Sequence, residues 1–145
     1  MSEQTSSGVM AGKRGLIMGV ANDRSIGWGI ASKLAEHGAE LAFTFQGEAL
    51  QKRVIPLAES VGSNLVLPCD VTDEASVDAV FDRLKSEWGE LDFVLHAIAY
   101  SDKEELKGGY VDTSRDNFQR TMDISVYSFT EITRKATAMM KDGGS

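Results

Sequence analysis

Four apolar runs, "GLIMGV" (15–20), "AELAFTF" (39–45), "NLVLPCDV" (64–71) and "LDFVLHAIA" (91–99), alternate along the chain with stretches of helical period. None shows the strict apolar–polar alternation of a half-exposed strand, so each reads as a strand covered by helices on both faces. Between the first two runs, Ile30, Ala31, Leu34 and Ala35 share a helical face, and the stretch stops at Gly38. Val77, Val80, Phe81, Leu84 and Trp88 form a second stripe closed by Gly89, with Thr72 or Asp73 as its cap and Glu74 favouring its positive end. A weaker helix is predicted over 48–61, where Pro56 implies a kink or a late start. The longest helix, over 115–140, carries Phe118, Met122, Val126, Phe129 and Ile132, with Glu131 and Lys135 as an i,i+4 pair.

Strand and helix in regular alternation predict an α/β fold, a doubly wound and mostly parallel sheet. The 145 residues, 42% hydrophobic, suffice for one core and not comfortably for two. No internal repeat or low-complexity linker divides them. The expected organisation is a flexible N-terminal segment, 1–12, followed by a single unit over 13–145. A formal net charge of −7 argues against nucleic acid as a partner, since phosphate neutralisation needs clustered Lys and Arg. The polar "MSEQTSSG" start has no apolar segment behind it and Cys69 stands alone, which points to a reduced, cytoplasmic protein with no membrane span and no disulfide. No metal is expected.

The stretch "GVANDRSIGWG" (19–29) joins the first strand to the first helix. A strand, a glycine turn and a helix in that order place free backbone N–H groups where a diphosphate can sit. Gly19 allows a tight turn, Ser25 offers a hydroxyl and an N–H, and Gly27 removes a side chain where the helix approaches the sheet. No lysine occurs between Arg14 and Lys33, which disfavours a nucleoside-triphosphate loop. From this stretch alone, a nucleotide cradle and an ordinary turn stand equally open.

Taken in order, five stretches resemble the short-chain dehydrogenase/reductase family, and specifically its divergent branch, the bacterial enoyl-acyl-carrier-protein reductases. The usual loop of the family reads T-G-x-x-x-G-x-G, whereas "MGVANDRSIGWGIA" has five residues between Gly19 and Ser25, with serine in place of the middle glycine. "LAFTFQ" is similar to the second strand of these reductases, "CDV" to their adenine-side motif, "HAIAY" stands where the wider family has Asn-Asn-Ala-Gly, and "MDISVYSF" is similar to the central helix. The likeness covers about 8–145. It implies a Rossmann-like sheet with strand order 3-2-1-4 and NADH-dependent reduction of a trans-2-enoyl thioester carried on acyl-carrier protein, in fatty-acid synthesis. It also implies a homotetramer.

By this resemblance Gly19, Ser25 and Ile26 hold the pyrophosphate, Gln46, Asp70 and Val71 the adenosine, and Ile98 the nicotinamide half. Ser101 is expected to face the acyl substrate. Gln46 can hydrogen-bond a ribose or adenine and does not neutralise a 2′-phosphate, which favours NADH over NADPH. Each residue has a plainer reading too. Gln46 is also explained as a solvated strand end, Asp70 as a turn residue, Ile98 as buried packing and Ser101 as a loop serine. His96, alone in an apolar strand, reads as a satisfied interior residue.

The catalytic pair of the branch is spaced Tyr-x6-Lys on a helix after a fifth strand. Tyr100 and Lys107 have that spacing, but they follow the fourth strand in a charged segment, and we reject them as the pair. Residues 1–145 are therefore expected to hold no catalytic residue, to be the N-terminal part of a longer reductase and to be inactive alone. Ser125 stands in register with the catalytic Asn of ordinary family members, which disfavours a ketoreductase. A different short-chain reductase and a non-catalytic nucleotide sensor are the alternative readings.

Overall fold

The computed structural model describes residues 8–145; of the expected flexible segment 1–12, residues 1–7 lie outside it. Four parallel strands, β1 (Arg14–Met18), β2 (Glu40–Phe45), β3 (Val66–Pro68) and β4 (Phe93–His96), form one sheet in the order β3-β2-β1-β4. Leu16 pairs with Ala42 on one side and Val94 on the other, while Phe43 pairs with Val66. The order is the one expected, with a reversal between β1 and its two neighbours that opens a crevice at their carboxyl ends.

Alternate side chains of the strands feed two cores. Leu16, Met18 and Ala42 pack with Val77, Val80, Leu84, Ile132 and Ala136 on one face. Ile17, Leu41 and Phe43 pack with Ala31, Val54 and Ala58 on the other. Both sides of β1 and β2 are thus apolar, which is why neither strand alternates in sequence. Burying each Leu, Ile or Phe in this way is worth about 1.5–3 kcal/mol.

The helices α1 (Ile26–Glu36), α2 (Glu48–Ser60) and α3 (Glu74–Glu87) connect the strands. After α1, Gly38 turns the chain at φ 97°, and the Gly38 and Ala39 N–H groups donate to the Ala35 and Leu34 carbonyls. Of the two caps foreseen for α3, Asp73 takes the role, accepting from the Ala75 N–H at 3.1 Å. α2 runs from Glu48 straight through Pro56, so there is no late start. Pro56 is exposed, where water can serve the carbonyl that lacks its N–H.

Two further expectations are corrected. The runs read as strands outlast the ladders: β3 covers only Val66–Pro68 and β4 only Phe93–His96. Their last residues leave the sheet after single bonds such as Cys69 N–H to the Phe45 carbonyl and Ala97 N–H to the Met18 carbonyl. The long helix is three segments: α4 (Arg115–Met122), a π turn (Asp123–Tyr127) and α5 (Ser128–Thr137). It ends short of Met140, with the Met139 carbonyl accepting from the Leu91 N–H at the entry to β4. Lys135 does lie near Glu131, at 3.8 Å, but its closer partner is Asp78 of α3, at 2.5 Å. That ion pair ties α5 to α3.

Residues 8–12 turn back beside α1, where Met10 N–H donates to the His37 carbonyl at 2.9 Å. Ser145 donates to the Asp92 carbonyl and accepts from the Val94 N–H, along the side of β4 away from β1. No helix among the described residues is long and apolar enough to cross a membrane.

Candidate functional site

The residues that follow the carboxyl ends of β1, β2, β3 and β4 surround a cleft of about 250 Å³. Gly19, Val20 and Ala21 come from the first connection, Gln46 and Leu50 from the second, Asp70, Val71 and Thr72 from the third, and Ala97 to Tyr100 from the fourth. A groove next to it shares Gly19 and Ala97 to Ala99, and adds Ser25, Ile26 and Gly27. Of the expected residues, Gly19 and Ile98 line both spaces, Gln46, Asp70 and Val71 the cleft, and Ser25 and Ile26 the groove.

Gly19 is required twice over. Its φ of 98° disfavours any side chain, and a Cβ there would overlap the Ala97 carbonyl. β1 and β4 therefore approach closely just where the two spaces join. Gly27 is a looser constraint than the sequence suggests. A Cβ at that position would stand 3.4 Å from the Ala97 Cβ and 3.6 Å from the Gly19 carbonyl oxygen, ordinary contact distances.

Ser25 is the N-cap residue of α1 by backbone geometry, yet its side chain makes no capping bond. Its hydroxyl turns back into the loop, donating to the Asn22 carbonyl at 2.7 Å and lying 3.4 Å from the Ala21 N–H. Asn22 in turn accepts from the Arg24 N–H through its side chain, at 2.8 Å. The helical ladder begins with Gly29 N–H to the Ser25 carbonyl. The first-turn N–H groups at Ile26, Gly27 and Trp28 thus have no intrahelical acceptor, and no acidic side chain sits in that turn. The loop braces itself and leaves these donors without an acceptor among the described residues.

Across the cleft, the Asp70 N–H donates to the Ser76 hydroxyl at 2.8 Å. One Asp70 carboxylate oxygen accepts from both the Thr72 N–H and its hydroxyl, and these donors hold the carboxyl below its ordinary pKa. The second oxygen and the Val71 N–H have no partner among the described residues, as a base edge would need. Gln46 is exposed at the rim, and its amide is likewise without a partner among the described residues. Cys69 lines the floor as a thiol, its pKa pushed up to about 11 by burial and by the Asp70 charge. It is no nucleophile at neutral pH.

Ser101 lies just outside the residues lining either space. Its hydroxyl accepts from the Asn117 side-chain amide at 3.2 Å and lies 3.3 Å from the Thr121 hydroxyl. Tyr100 borders the cleft with its ring under the Arg120 guanidinium, 4.9 Å from its carbon. Lys107 is exposed and paired with Glu104. The two residues of the rejected Tyr-x6-Lys match therefore serve different surroundings. Among the described residues no cluster of His, Cys, Asp and Glu can hold a metal ion.

Leu50 and Ile124, both in the wall, were not foreseen. Leu50 lies in the first turn of α2, which begins two residues after Gln46, and that nearness is the signal that marks it. Ile124 reaches the cleft from the π turn, and a 3.6-residue period does not reveal such a turn.

Residues 19–145 match the family described as enoyl-(acyl carrier protein) reductase. The chain belongs to that family. Enoyl-acyl-carrier-protein reductase (NADH) 1 of Rhizobium meliloti is 64% identical over 140 residues, covering 97% of this chain and 52% of the relative. The crystal structure of the Anaplasma phagocytophilum reductase in complex with NAD superposes with a TM-score of 0.90 at 56% identity, over 96% of this chain and 54% of that one. The Bacillus cereus enoyl reductase with NADP+ and indole naphthyridinone gives 0.89 at 44% identity, over 92% of this chain and 52% of that one. The chain thus spans about half the length of the family members it matches.

Proposed function

We propose that this chain supplies the dinucleotide-binding part of an NADH-dependent enoyl-acyl-carrier-protein reductase of fatty-acid synthesis, with residues 13–145 as part of one reductase domain. The observation that carries this is the α1 N-terminus, where the serine at the cap position turns its hydroxyl into the loop and leaves the helix donors uncovered beside Gly19. A pyrophosphate fits that arrangement by charge and by hydrogen-bond supply. Gly19, Ser25 and Ile26 hold it, Asp70 and Val71 take the adenine edge, Gln46 faces the adenosine ribose, and Ile98 packs against the nicotinamide half.

When bound, NADH would supply the hydride for reduction of the enoyl thioester at its β-carbon. The chain's own part is to hold the nicotinamide ring beside Ile98 and the backbone of Ala97 and Ala99, whose small side chains permit close approach. Ser101 borders the acyl side, and the groups that handle the thioester oxygen belong outside residues 1–145. Acyl-carrier protein is the substrate carrier, and the cytoplasm is the proposed location. A homotetramer is supported by exposed Phe118, Met122, Val126 and Phe129, which recur at near-helical spacing through α4, the π turn and α5. The test is fluorescence titration of the intact protein with NADH and NADPH, alongside reduction of a crotonyl thioester followed by loss of NADH absorbance. Tighter binding of NADH and turnover of the thioester are expected; absence of either would refute the proposal.

A further inference from the structure

His96 ends β4 and makes an edge-on contact with Phe129, ring centroids 5.5 Å apart. Its Nε2 lies 2.8 Å from the hydroxyl of Ser128, a fully buried residue, and that hydroxyl donates to the Ile124 carbonyl at 2.6 Å. The Ser128 N–H reaches back five residues to Asp123, so the Ile124 carbonyl takes the Ser128 hydroxyl where an α-helix would give it that N–H. A hydroxyl has one proton. With that proton committed to Ile124, the serine oxygen accepts and His96 donates from Nε2. Burial keeps the imidazole pKa below its ordinary value, in keeping with a neutral ring.

The same π turn serves the cleft at two points. Ile124 forms part of its wall, and Ser125 holds both polar groups of the Tyr100 backbone. The imidazole is half-buried with its Nε2 paired to Ser128, so the bond compensates the burial of the ring and ties it to the π turn. We propose that His96 is a positioning residue for the dinucleotide cleft: by donating to Ser128 it holds the π turn in register, and with it the Ile124 wall and the Ser125 clamp. The inference rests on the reading of the cleft as a dinucleotide site.

The test compares His96→Leu, which keeps bulk and loses the donor, with His96→Gln, whose side-chain N–H reaches the position of Nε2. In the intact protein, His96→Leu is expected to weaken NADH binding about tenfold, the scale of one lost supporting hydrogen bond, and to raise KM for NADH while kcat stays within about twofold. Hydrogen exchange over 124–129 should quicken in the same variant, and His96→Gln should restore both readouts. A merely structural role would lower stability without that split or that rescue. If His96→Leu does not fold, Ser128→Ala is the second variant and should weaken NADH binding in the same way. NADH binding unchanged in the folded variants, or weakened equally by Leu and Gln at position 96, overturns the proposal alone. Failure of the unmodified protein to bind NADH overturns the cleft reading with it.

Discussion

The Ser125 hydroxyl accepts from the Tyr100 N–H at 2.9 Å and donates to the Tyr100 carbonyl at 3.2 Å, so one side chain of the π turn satisfies the whole backbone of one loop residue. Tyr100 has just left β4, where no neighbouring strand is available for its polar groups. Ser125→Ala should leave both unpaired in a half-buried place, costing about 1–3 kcal/mol. Thermal melting of the intact protein should show the loss, and Ser125→Thr, which keeps a hydroxyl, should recover most of it. Equal melting of all three forms would contradict the clamp.

Gly19 and Gly27 should behave differently although both lie in the same glycine stretch. Gly19→Ala places a methyl against the Ala97 carbonyl at a φ that disfavours it, with about 1–2 kcal/mol of backbone strain before the overlap is counted. NADH binding should be lost. Gly27→Ala meets only ordinary contacts and should retain binding, whereas the longer branches of Gly27→Val run toward Val20, Ala97 and the Gly19 carbonyl and should abolish it. Fluorescence titration of the three variants decides the matter; a Gly19→Ala protein that binds NADH normally would break the argument.

The rim of the cleft carries the neutral Gln46, which the proposed function sets against the adenosine ribose. Gln46→Arg should improve NADPH binding by about tenfold through a charge-assisted bond to the 2′-phosphate, and narrow or invert the preference for NADH. Paired titrations with the two cofactors measure this. Because a related enoyl reductase was crystallised with NADP+, tighter NADPH binding by the unmodified protein is the outcome that would remove Gln46 from this role.

His96 should make stability depend on pH in a defined direction. Burial lowers its folded pKa below the ordinary 6.5, so on acidification the unfolded chain takes up the proton first. The contribution is fully present above 6.5 and is lost as pH falls from there through the depressed folded value. His96→Gln removes the titrating group, and the difference in melting temperature between it and the unmodified protein should change only across that window. A difference independent of pH would show that the imidazole does not titrate differently on folding.

The class of fold and the helix faces were legible because they rest on local patterns, whereas the strand order and most cleft residues were implied by the likeness of five short stretches to a known family. Apolar runs such as "LIM" in β1 and "LAF" in β2 are buried on both sides, and that burial is why they read as strands covered by helices. Gly19 could be read because its demand is on its own backbone, and Asp70 because "CDV" resembles the adenine-side motif of the family. Gly27 does stand where α1 approaches the sheet, but whether a methyl or a branched side chain fits there depends on the separation of α1 from Ala97 and Val20, which no spacing in the chain records.

Sequence alone determined the class of fold through its periodicity, and through short motifs that resemble a known family it implied the order of the strands and the residues at their ends, since periodicity and motifs are properties of neighbouring positions. Tertiary structure decided where the ladders stop, that Ser25 turns away from its helix, and that the long helix opens into a π turn. It also decided that Ile124 and Leu50 enter the cleft, and that His96 and Ser125 brace it through contacts 32 and 25 residues away in the chain. The physical reason is the same in each case: a hydrogen bond or a wall contact depends on the distance between groups from different elements, and only the packed sheet and its helices set that distance.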